Sequence, residues 1–149
     1  MTGSPTELSL TDLLEMSQSQ LDDLYRGIES AGSIPSGDTR GTALFLPGNS
    51  LGRFLGAAAR PIFWQGKVFN TEGGDLKNKM SPFGAQAIRA KVYRGESWMD
   101  GDEATILDYS TTSVVASWIR DEIREIAPGL WLGKVFVRRW HALDFTLTA

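Results

Sequence analysis

The sequence contains no cysteine and a single histidine, His141. Without cysteine, the chain has no disulfide framework, no thiol nucleophile and no zinc–thiolate site. With one imidazole, a histidine-rich metal site is excluded, and a Ser-His-Asp triad would depend on His141 alone. The glycine-containing segments 48–52 and 56–59 also lack the Lys-Ser/Thr pair or the spacing of a phosphate loop. We therefore expect no metal and no cofactor.

Long apolar runs are also missing. No stretch approaches the ~18 apolar residues of a membrane-spanning helix, and the acidic N-terminal segment lacks the basic and apolar regions of a secretory signal. The net charge is −3, and no basic cluster, RNP motif or zinc-finger pattern suggests nucleic acid as a partner. We expect a cytoplasmic protein with no membrane span. Its oligomeric state stays open, and a homodimer is one option.

Glycine and tryptophan, in contrast, are plentiful in a chain whose 149 residues are one domain by length. The 16 glycines exceed the usual ~7%, which favours many turns and therefore strands. The five tryptophans indicate either a large aromatic core or an aromatic-lined pocket. Tryptophan side chains lie in the core more often than in a ligand pocket, so we expect most of the five in the core. A pocket lined by some of them is the alternative.

The N-terminal part of the chain carries helical signals. Ser17 and Gln20 match a capping box, and apolar residues at spacings of three and four predict an amphipathic helix over 18–29. A short turn of helix is predicted at 11–16, and Ser50 caps a further predicted helix that reaches Pro61. We expect residues 1–8 to form a flexible tail and residues 9–60 to be mainly helical, with a short strand at 42–46.

From residue 61 onward the pattern changes to period two, which predicts antiparallel strands over 61–149. Turns at 72–75, 100–101 and 128–129 separate the strands. The predicted strands include 64–70, 88–93, 104–109, 131–138 and 141–147. About seven strands after the helices indicate an antiparallel sheet that curls or closes.

Residues 118–126 fit two structures with opposite consequences. As a helix, they place Trp118, Ile119 and Ile123 on one face and leave most of the charges in solvent. As a strand, they direct Asp121 and Ile123 to one side and Glu122 and Arg124 to the other. The turn at 128–129 favours a strand over 120–126, and a helical start at 113–119 is compatible with it. A strand would place at least one charge in the interior, where it must be paired.

Four residues are candidates for acid–base chemistry, namely Asp108, Tyr109, Asp121 and Arg124. Asp108 shares a face with apolar residues, and if that face lines a barrel, burial would raise the pKa of its carboxyl group. The alternative is a strand-end aspartate that accepts backbone hydrogen bonds. Asp121, Glu122 and Arg124 could form an internal ion-pair network that orients a polar group of a ligand. Alternatively, these charges are a solvated face or form a structural pair with Lys134 or Arg138 on the next strand.

Five further residues are candidates for ligand binding: Trp64, Lys67, Trp118, Trp131 and His141. Trp64 and Lys67 near a strand start can line the mouth of a pocket. Alternatively, Trp64 is a core residue and Lys67 is a surface cation. Alternation places His141 on the apolar face of the last strand, with Leu143, Phe145 and Leu147, where a lone histidine is usually a structural, hydrogen-bonded residue.

A family resemblance covers residues 60–149. It lies in the segments 64–69 (WQGKVF), 90–95 (AKVYRG), 121–124 (DEIR), 132–133 (LG) and 143–147 (LDFTL). Here the chain resembles a pair of small uncharacterised modules, of which one is named for a Gly-x-Trp-x-Gly motif and the other is the domain that commonly follows it. The chain lacks the Gly-x-Trp-x-Gly motif itself. The resemblance implies a strand at 121–126 and a turn at Pro128.

The sequence therefore predicts an α+β protein with a curled antiparallel sheet or a small calycin-like barrel and N-terminal helices. By analogy with calycin-type barrels, the first hypothesis is binding of a small hydrophobic molecule, such as a lipid, a terpenoid or a polyketide, in a Trp-rich cavity. The second is a cofactor-free cyclase, isomerase or decarboxylase of specialised or lipid metabolism. The third is an interaction module whose acidic helix at 18–30 docks a partner.

Overall fold

The computed structural model describes residues 7–44, 64–80, 85–114 and 116–149. These residues form two short helices and nine strands, and the strands pair in one antiparallel sheet. The helices are α1 (Leu10–Leu14) and α2 (Gln18–Arg26). The strands are β1 (Gly37–Asp38), β2 (Arg40–Leu44), β3 (Trp64–Asn70), β4 (Asp75–Met80), β5 (Ala85–Glu96), β6 (Glu103–Asp108), β7 (Ile119–Ala127), β8 (Leu130–Val137) and β9 (Trp140–Thr148).

The sheet curls into a nearly closed barrel. Its strand order is β1-β3-β4-β5-β6-β7-β8-β9-β2. β1 and β2 are separated by Thr39 alone, yet β1 pairs with β3 while β2 pairs with β9. The segment 37–44 therefore bridges the two ends of the sheet, which leaves little free edge at the seam.

Two glycines permit the close approach at this seam. Gly66 lies at a bulge of β3 with φ +139, and a Cβ atom there would lie 2.2 Å from the carbonyl oxygen of Thr39. A Cβ atom on Gly41 would lie 2.3 Å from the ring of Trp64. The Thr39 hydroxyl donates to the Lys67 carbonyl at 2.7 Å and fixes the crossing. Side chains at these glycines would force the two strands apart.

The barrel interior has an apolar half. Alternation along the strands directs one face of each inward, and a continuous cluster of buried apolar side chains lies on these inward faces. Its members include Phe69, Leu76, Leu107, Ile123, Trp131 and Leu147. The Trp131 ring nitrogen donates to the Ser33 carbonyl at 2.8 Å, so its polar atom is satisfied as well.

The helices pack on the outside of the barrel. Leu13 of α1 and Leu21 and Tyr25 of α2 contact Leu130 and Leu132 of β8 in a second buried cluster. Both helices begin with a capping box, and that of α2 uses Ser17 and Gln20 as predicted. The helices therefore cover the outer face of the sheet around β8.

The structure confirms the predicted antiparallel β-barrel and the predicted strand at 120–126, which extends over Ile119–Ala127. The described part of 113–118 forms bends and turns, so the helical start considered there is wrong. The segment 9–60 contributes both short helices and also β1 and β2. The helix predicted between Ser50 and Pro61 lies outside the described residues. No helix in the described ranges is long and apolar enough to cross a membrane.

Candidate functional site

A cluster of polar side chains lies inside the barrel, toward the end at which β3, β5, β7 and β9 begin, which we call the upper rim. We define the polar cluster as Trp64, Lys67, Asn78, Tyr109 and Asp121. Trp64 and Lys67 lie on β3, Asn78 lies on β4 and Asp121 lies on β7. Tyr109 directly follows the last residue of β6. Because these strands start or end at the same rim, side chains that are distant in sequence meet there.

Lys67 is the centre of the polar cluster. Its side chain is 3% exposed, and its Nζ atom lies 2.7 Å from Asn78 Oδ1, 2.7 Å from the Tyr109 hydroxyl and 3.2 Å from Asp121 Oδ2. An ammonium group has three donors, so all of them have acceptors here. The rings of Trp64, Tyr109 and Phe145 each lie 5.4 Å from the same nitrogen. The charge of Lys67 is thus compensated within the protein.

Asn78 and Tyr109 are equally satisfied. Asn78 Oδ1 also accepts from the Trp64 ring nitrogen at 3.0 Å, while Asn78 Nδ2 donates to the Ile88 carbonyl at 2.8 Å and to the Tyr109 hydroxyl at 2.9 Å. The Tyr109 hydroxyl accepts from Lys67 and Asn78 and donates to Asp121 Oδ2 at 3.3 Å. These two residues therefore have no hydrogen-bonding capacity left for a ligand.

Asp121 Oδ1 is the exception. It is buried and has no hydrogen-bond partner among the residues that the structure describes. Asp75 Oδ1, Arg120 Nη1 and Thr146 Oγ1 are in the same condition, but the alternation of their strands places them on the outer face of the sheet. Within the described barrel interior, the free acceptor is the one on Asp121.

A backbone distortion helps to build the polar cluster. The register of β4 and β5 shifts between Lys77 and Asn78, which leaves Ile88 as the extra residue of a bulge. Ile88 has φ 55, which is unusual for a β-branched residue. Its carbonyl accepts from Asn78 and fixes the orientation of that amide. Bulges of this kind are common beside functional sites, where they redirect side chains.

Burial sets the protonation states in the polar cluster. It raises the pKa of Tyr109 to about 12, against the opposing effect of the Lys67 charge, so the phenol is protonated at neutral pH. It also raises the pKa of Asp121 above its ordinary value, because the nearby Lys67 and Tyr109 offset only part of the desolvation. For Lys67, burial lowers the pKa, but Tyr109 and Asp121 outweigh this and the net pKa is raised.

Arg124 lies on the opposite face of the sheet, outside the barrel. Its guanidinium makes a bidentate pair with Asp100, at 2.7 and 2.8 Å, and donates to the Tyr25 and Glu103 carbonyls. Next to it, the Tyr25 hydroxyl donates to Glu122 at 2.8 Å. Arg124 therefore ties α2 and the β5–β6 turn to the sheet and does not meet Asp121.

His141 belongs to a separate cluster under α2. Its Nε2 atom lies 2.5 Å from Asp144 Oδ1, while Lys134 Nζ lies 2.7 Å from Asp144 Oδ2 and 2.6 Å from Asp22 Oδ1. The two aspartates and the histidine are close enough together to hold a metal ion. The Lys134 ammonium, however, already supplies a cation between the two carboxylates, so these residues do not fit a metal site.

Asp108 and Trp118 line a pocket on the outer surface. Asp108 accepts hydrogen bonds from the Tyr93 hydroxyl at 2.8 Å and from the Ser110 backbone at 2.9 Å. Partial burial raises the pKa of Asp108, but these hydrogen bonds outweigh it and hold the pKa below its ordinary value. Asp108 is therefore the strand-end aspartate that accepts a backbone hydrogen bond, because its face of β6 does not line the barrel and the condition for a raised pKa is not met.

The structure thus brings together four of the nine candidates in the polar cluster: Trp64, Lys67, Tyr109 and Asp121. Trp131 lies in the apolar half of the same interior. Asn78 was not predicted as a site residue. The strand Asp75–Met80 has the sequence DLKNKM, in which too few apolar residues alternate to indicate a strand. The signal that could have indicated a site residue on this strand is the polar side chain of Asn78 near its centre.

Comparison with known proteins supports the fold but indicates no function and no ligand. No family model and no curated protein matches the chain, so the likeness to the Gly-x-Trp-x-Gly modules is unconfirmed. One solved structure, of a protein from Thermomonospora curvata, is similar with a TM-score of 0.59 and 20% sequence identity, over 90% of this chain and 88% of that chain. At this identity the likeness concerns the nearly closed antiparallel barrel alone.

Proposed function

We propose that the barrel binds a small, mainly apolar molecule that donates one hydrogen bond to Asp121 Oδ1. The observation that carries the proposal is the contrast within the polar cluster. Lys67, Asn78 and Tyr109 use all their donors and acceptors on one another, whereas one buried carboxylate oxygen has no partner in the described structure. Such an unsatisfied group costs about 1–3 kcal/mol, which a ligand donor would recover.

The side chains around Asp121 favour a ligand that is mainly apolar. Below the polar cluster the interior is apolar and rich in large side chains, including Phe69 and Trp131. Toward the upper rim, Trp64 and Phe145 pack edge to face with ring centroids 5.4 Å apart. A hydrocarbon skeleton with one hydroxyl or N–H group suits these walls, in line with the way in which calycin-type barrels hold their ligands. Terpenoid alcohols are suitable probes.

Binding can be measured by calorimetry with three probes of one skeleton, namely menthol, menthone and p-menthane. Menthol donates a hydrogen bond, menthone only accepts one, and p-menthane does neither. We expect menthol to bind about tenfold more tightly than menthone, since an acceptor facing Asp121 Oδ1 leaves that oxygen unpaired. Equal affinities for the alcohol and the ketone would contradict the assigned role of Asp121.

Asp121→Asn sharpens the test. The amide oxygen can keep the bonds from Lys67 and Tyr109, so the NH2 group occupies the place of Oδ1 and becomes a donor. The preference should then shift from menthol to menthone. Asp144→Asn is a matched control, because Asp144 is also a buried partner of a lysine but lies on the outer face. It should reduce stability and leave the order of affinities unchanged.

A second candidate function is acid–base catalysis on the bound molecule. The observation in its favour is that burial raises the pKa of Asp121, the residue that keeps a free oxygen. Such a carboxylate is a candidate general base in a cofactor-free isomerase or cyclase. Hydrogen exchange of a bound ketone in D2O measures proton abstraction directly. Exchange that depends on Asp121 would support an enzyme, and a ligand recovered without deuterium would support binding alone.

A further inference from the structure

The outer pocket next to β6 and β7 is a concave site, and none of its lining residues belongs to the polar cluster. Its volume is about 340 Å³, and its walls include three partly exposed aromatic side chains, Tyr93, Trp98 and Trp118. Asp108 and Arg120 also line it. Large aromatic side chains that stay exposed around a concavity are typical of ligand sites.

The turn between β8 and β9 braces this pocket with two arginines. Arg138 Cζ lies 4.9 Å from the centre of the Trp118 ring, and Arg139 Cζ lies 4.7 Å from the centre of the Trp98 ring. The backbone nitrogen of Arg138 also donates to the Trp118 carbonyl at 3.1 Å. The turn therefore contacts both tryptophan walls.

The backbone of this turn is unfavourable for arginine. Arg138 and Arg139 have φ 51 and 73, and they join Val137 to Trp140, which pair across the hairpin. A two-residue hairpin with positive φ at both positions normally contains Asn-Gly, because L side chains are strained there. Strain of this kind persists where the side chains serve another purpose.

Apart from their contacts with the two tryptophan rings, the charges of Arg138 and Arg139 have no partner in the described ranges. Both are exposed, and neither has a carboxylate within ion-pair distance in the described ranges. Arg120 differs, because Glu122 lies 3.5 Å from it. Asp108 and Glu122 contribute two negative charges near the pocket, against the three positive charges of Arg120, Arg138 and Arg139. These five residues together therefore carry one net positive charge.

We propose that this pocket binds a small planar aromatic molecule that carries an anionic group. The ring lies against those parts of the Trp98 and Trp118 indoles that the neighbouring arginine side chains leave exposed. The anionic group is held by Arg138 and Arg139, whose planar guanidinium groups suit a carboxylate or a phosphate. The site is independent of the barrel interior and does not rest on the function proposed for it.

The probes are 2-naphthoate and its uncharged analogue 2-naphthamide. Binding is followed by NMR through the indole N–H signals of the five tryptophans. Naphthoate should shift the signals of Trp98 and Trp118 and bind roughly tenfold or more tightly than the amide, as expected for charge-assisted contacts. The signals of Trp64 and Trp131, whose N–H groups are bonded inside the barrel, should stay in place. Shifts of those two signals alone would overturn the proposal.

The decisive variant is Arg138→Asn/Arg139→Gly. Asn-Gly favours this turn, so the fold should be retained with a higher Tm, while the preference for naphthoate over naphthamide should disappear. Arg138→Gln/Arg139→Gln removes the charges and keeps the strain, and it should lose the preference without the gain in Tm. Arg26→Asn/Arg40→Asn removes two other exposed charges as a control. Undiminished preference in either turn variant would refute the assigned role.

Discussion

Replacing Lys67 by methionine is expected to destabilise the protein severely. The change removes three hydrogen bonds at once, to Asn78, Tyr109 and Asp121, in a site where the lysine side chain is 3% exposed. It leaves the Asp121 carboxylate without a cation, with only the 3.3 Å contact from Tyr109. Breaking a buried ion pair in this way costs about 3–5 kcal/mol. For a chain of this length, that corresponds to a fall in Tm of roughly 10 °C.

The double variant Lys67→Met/Asp121→Leu distinguishes a broken pair from lost packing. If most of the cost of Lys67→Met is the stranded carboxylate, removing that carboxylate should recover most of the stability. Urea denaturation monitored by circular dichroism gives the free energies of unfolding for the double-mutant cycle. Losses in the two single variants that simply add up in the double variant would refute the reasoning.

The pH dependence of Lys67→Met is a second check on the same argument. Without the lysine, the pKa of Asp121 rises further above its ordinary value, because burial is then opposed only by Tyr109. A carboxyl group whose pKa is higher in the folded state favours folding when protonated, and this contribution is lost as pH rises from 3.8 through the folded pKa. The loss of stability relative to wild type should therefore be smaller near pH 4 than at pH 7. Lys79→Met breaks the pair with Asp38, whose side chain is 70% exposed, and, as a control, should cost less than about 1 kcal/mol at both pH values.

Three further outcomes are expected. Gly66→Ala should destabilise the barrel seam by about 3 kcal/mol or more, whereas Gly37→Ala, with φ +69 and open space around it, should cost only about 1 kcal/mol, as thermal unfolding can show. Ser17→Ala removes the N-cap of α2 and should cost about 1 kcal/mol by urea denaturation. Partial burial raises the pKa of Asp22, but hydrogen bonds from Lys134 and Gln18 outweigh it and lower the net pKa below 3.8. The contribution of Asp22 to stability is therefore full above pH 3.8 and lost as pH falls through the folded pKa, which acid titration of the Tm can test.

Local signals in the sequence were sufficient for much of the fold. The capping box at Ser17 and the alternation over 64–70 and 104–109 are short-range patterns, and the structure has a helix and strands there. Alternation also placed Asp121 and Arg124 on opposite faces of a strand at 120–126, as found. Neighbouring residues are enough to establish such features, because they reflect the periodicity of the local backbone.

The partners of these residues could not be predicted in the same way. Asp121 pairs with Lys67 and Arg124 pairs with Asp100, and neither contact follows from local spacing. The charges on both faces of β7 have partners from distant parts of the chain. On the inner face the partner lies across the barrel, and on the outer face the partners lie on α2 and the β5–β6 turn. The seam formed by 37–44 depends on the same kind of long-range contact. Only the three-dimensional arrangement of strands provides this information.

Two buried lysine–aspartate pairs on the same sheet show why Asp121 is singled out. On the outer face, Asp144 is completely satisfied: Oδ2 accepts from Lys134 at 2.7 Å and Gln18 at 2.9 Å, and Oδ1 lies 2.5 Å from His141. On the inner face, Asp121 receives both of its donors on Oδ2, and Oδ1 receives none in the described structure. The fold is thus able to surround a buried carboxylate with donors where the role is structural. Of these two lysine–aspartate pairs, the one with an oxygen that lacks a donor lies in the barrel interior, where the proposed ligand would supply that donor.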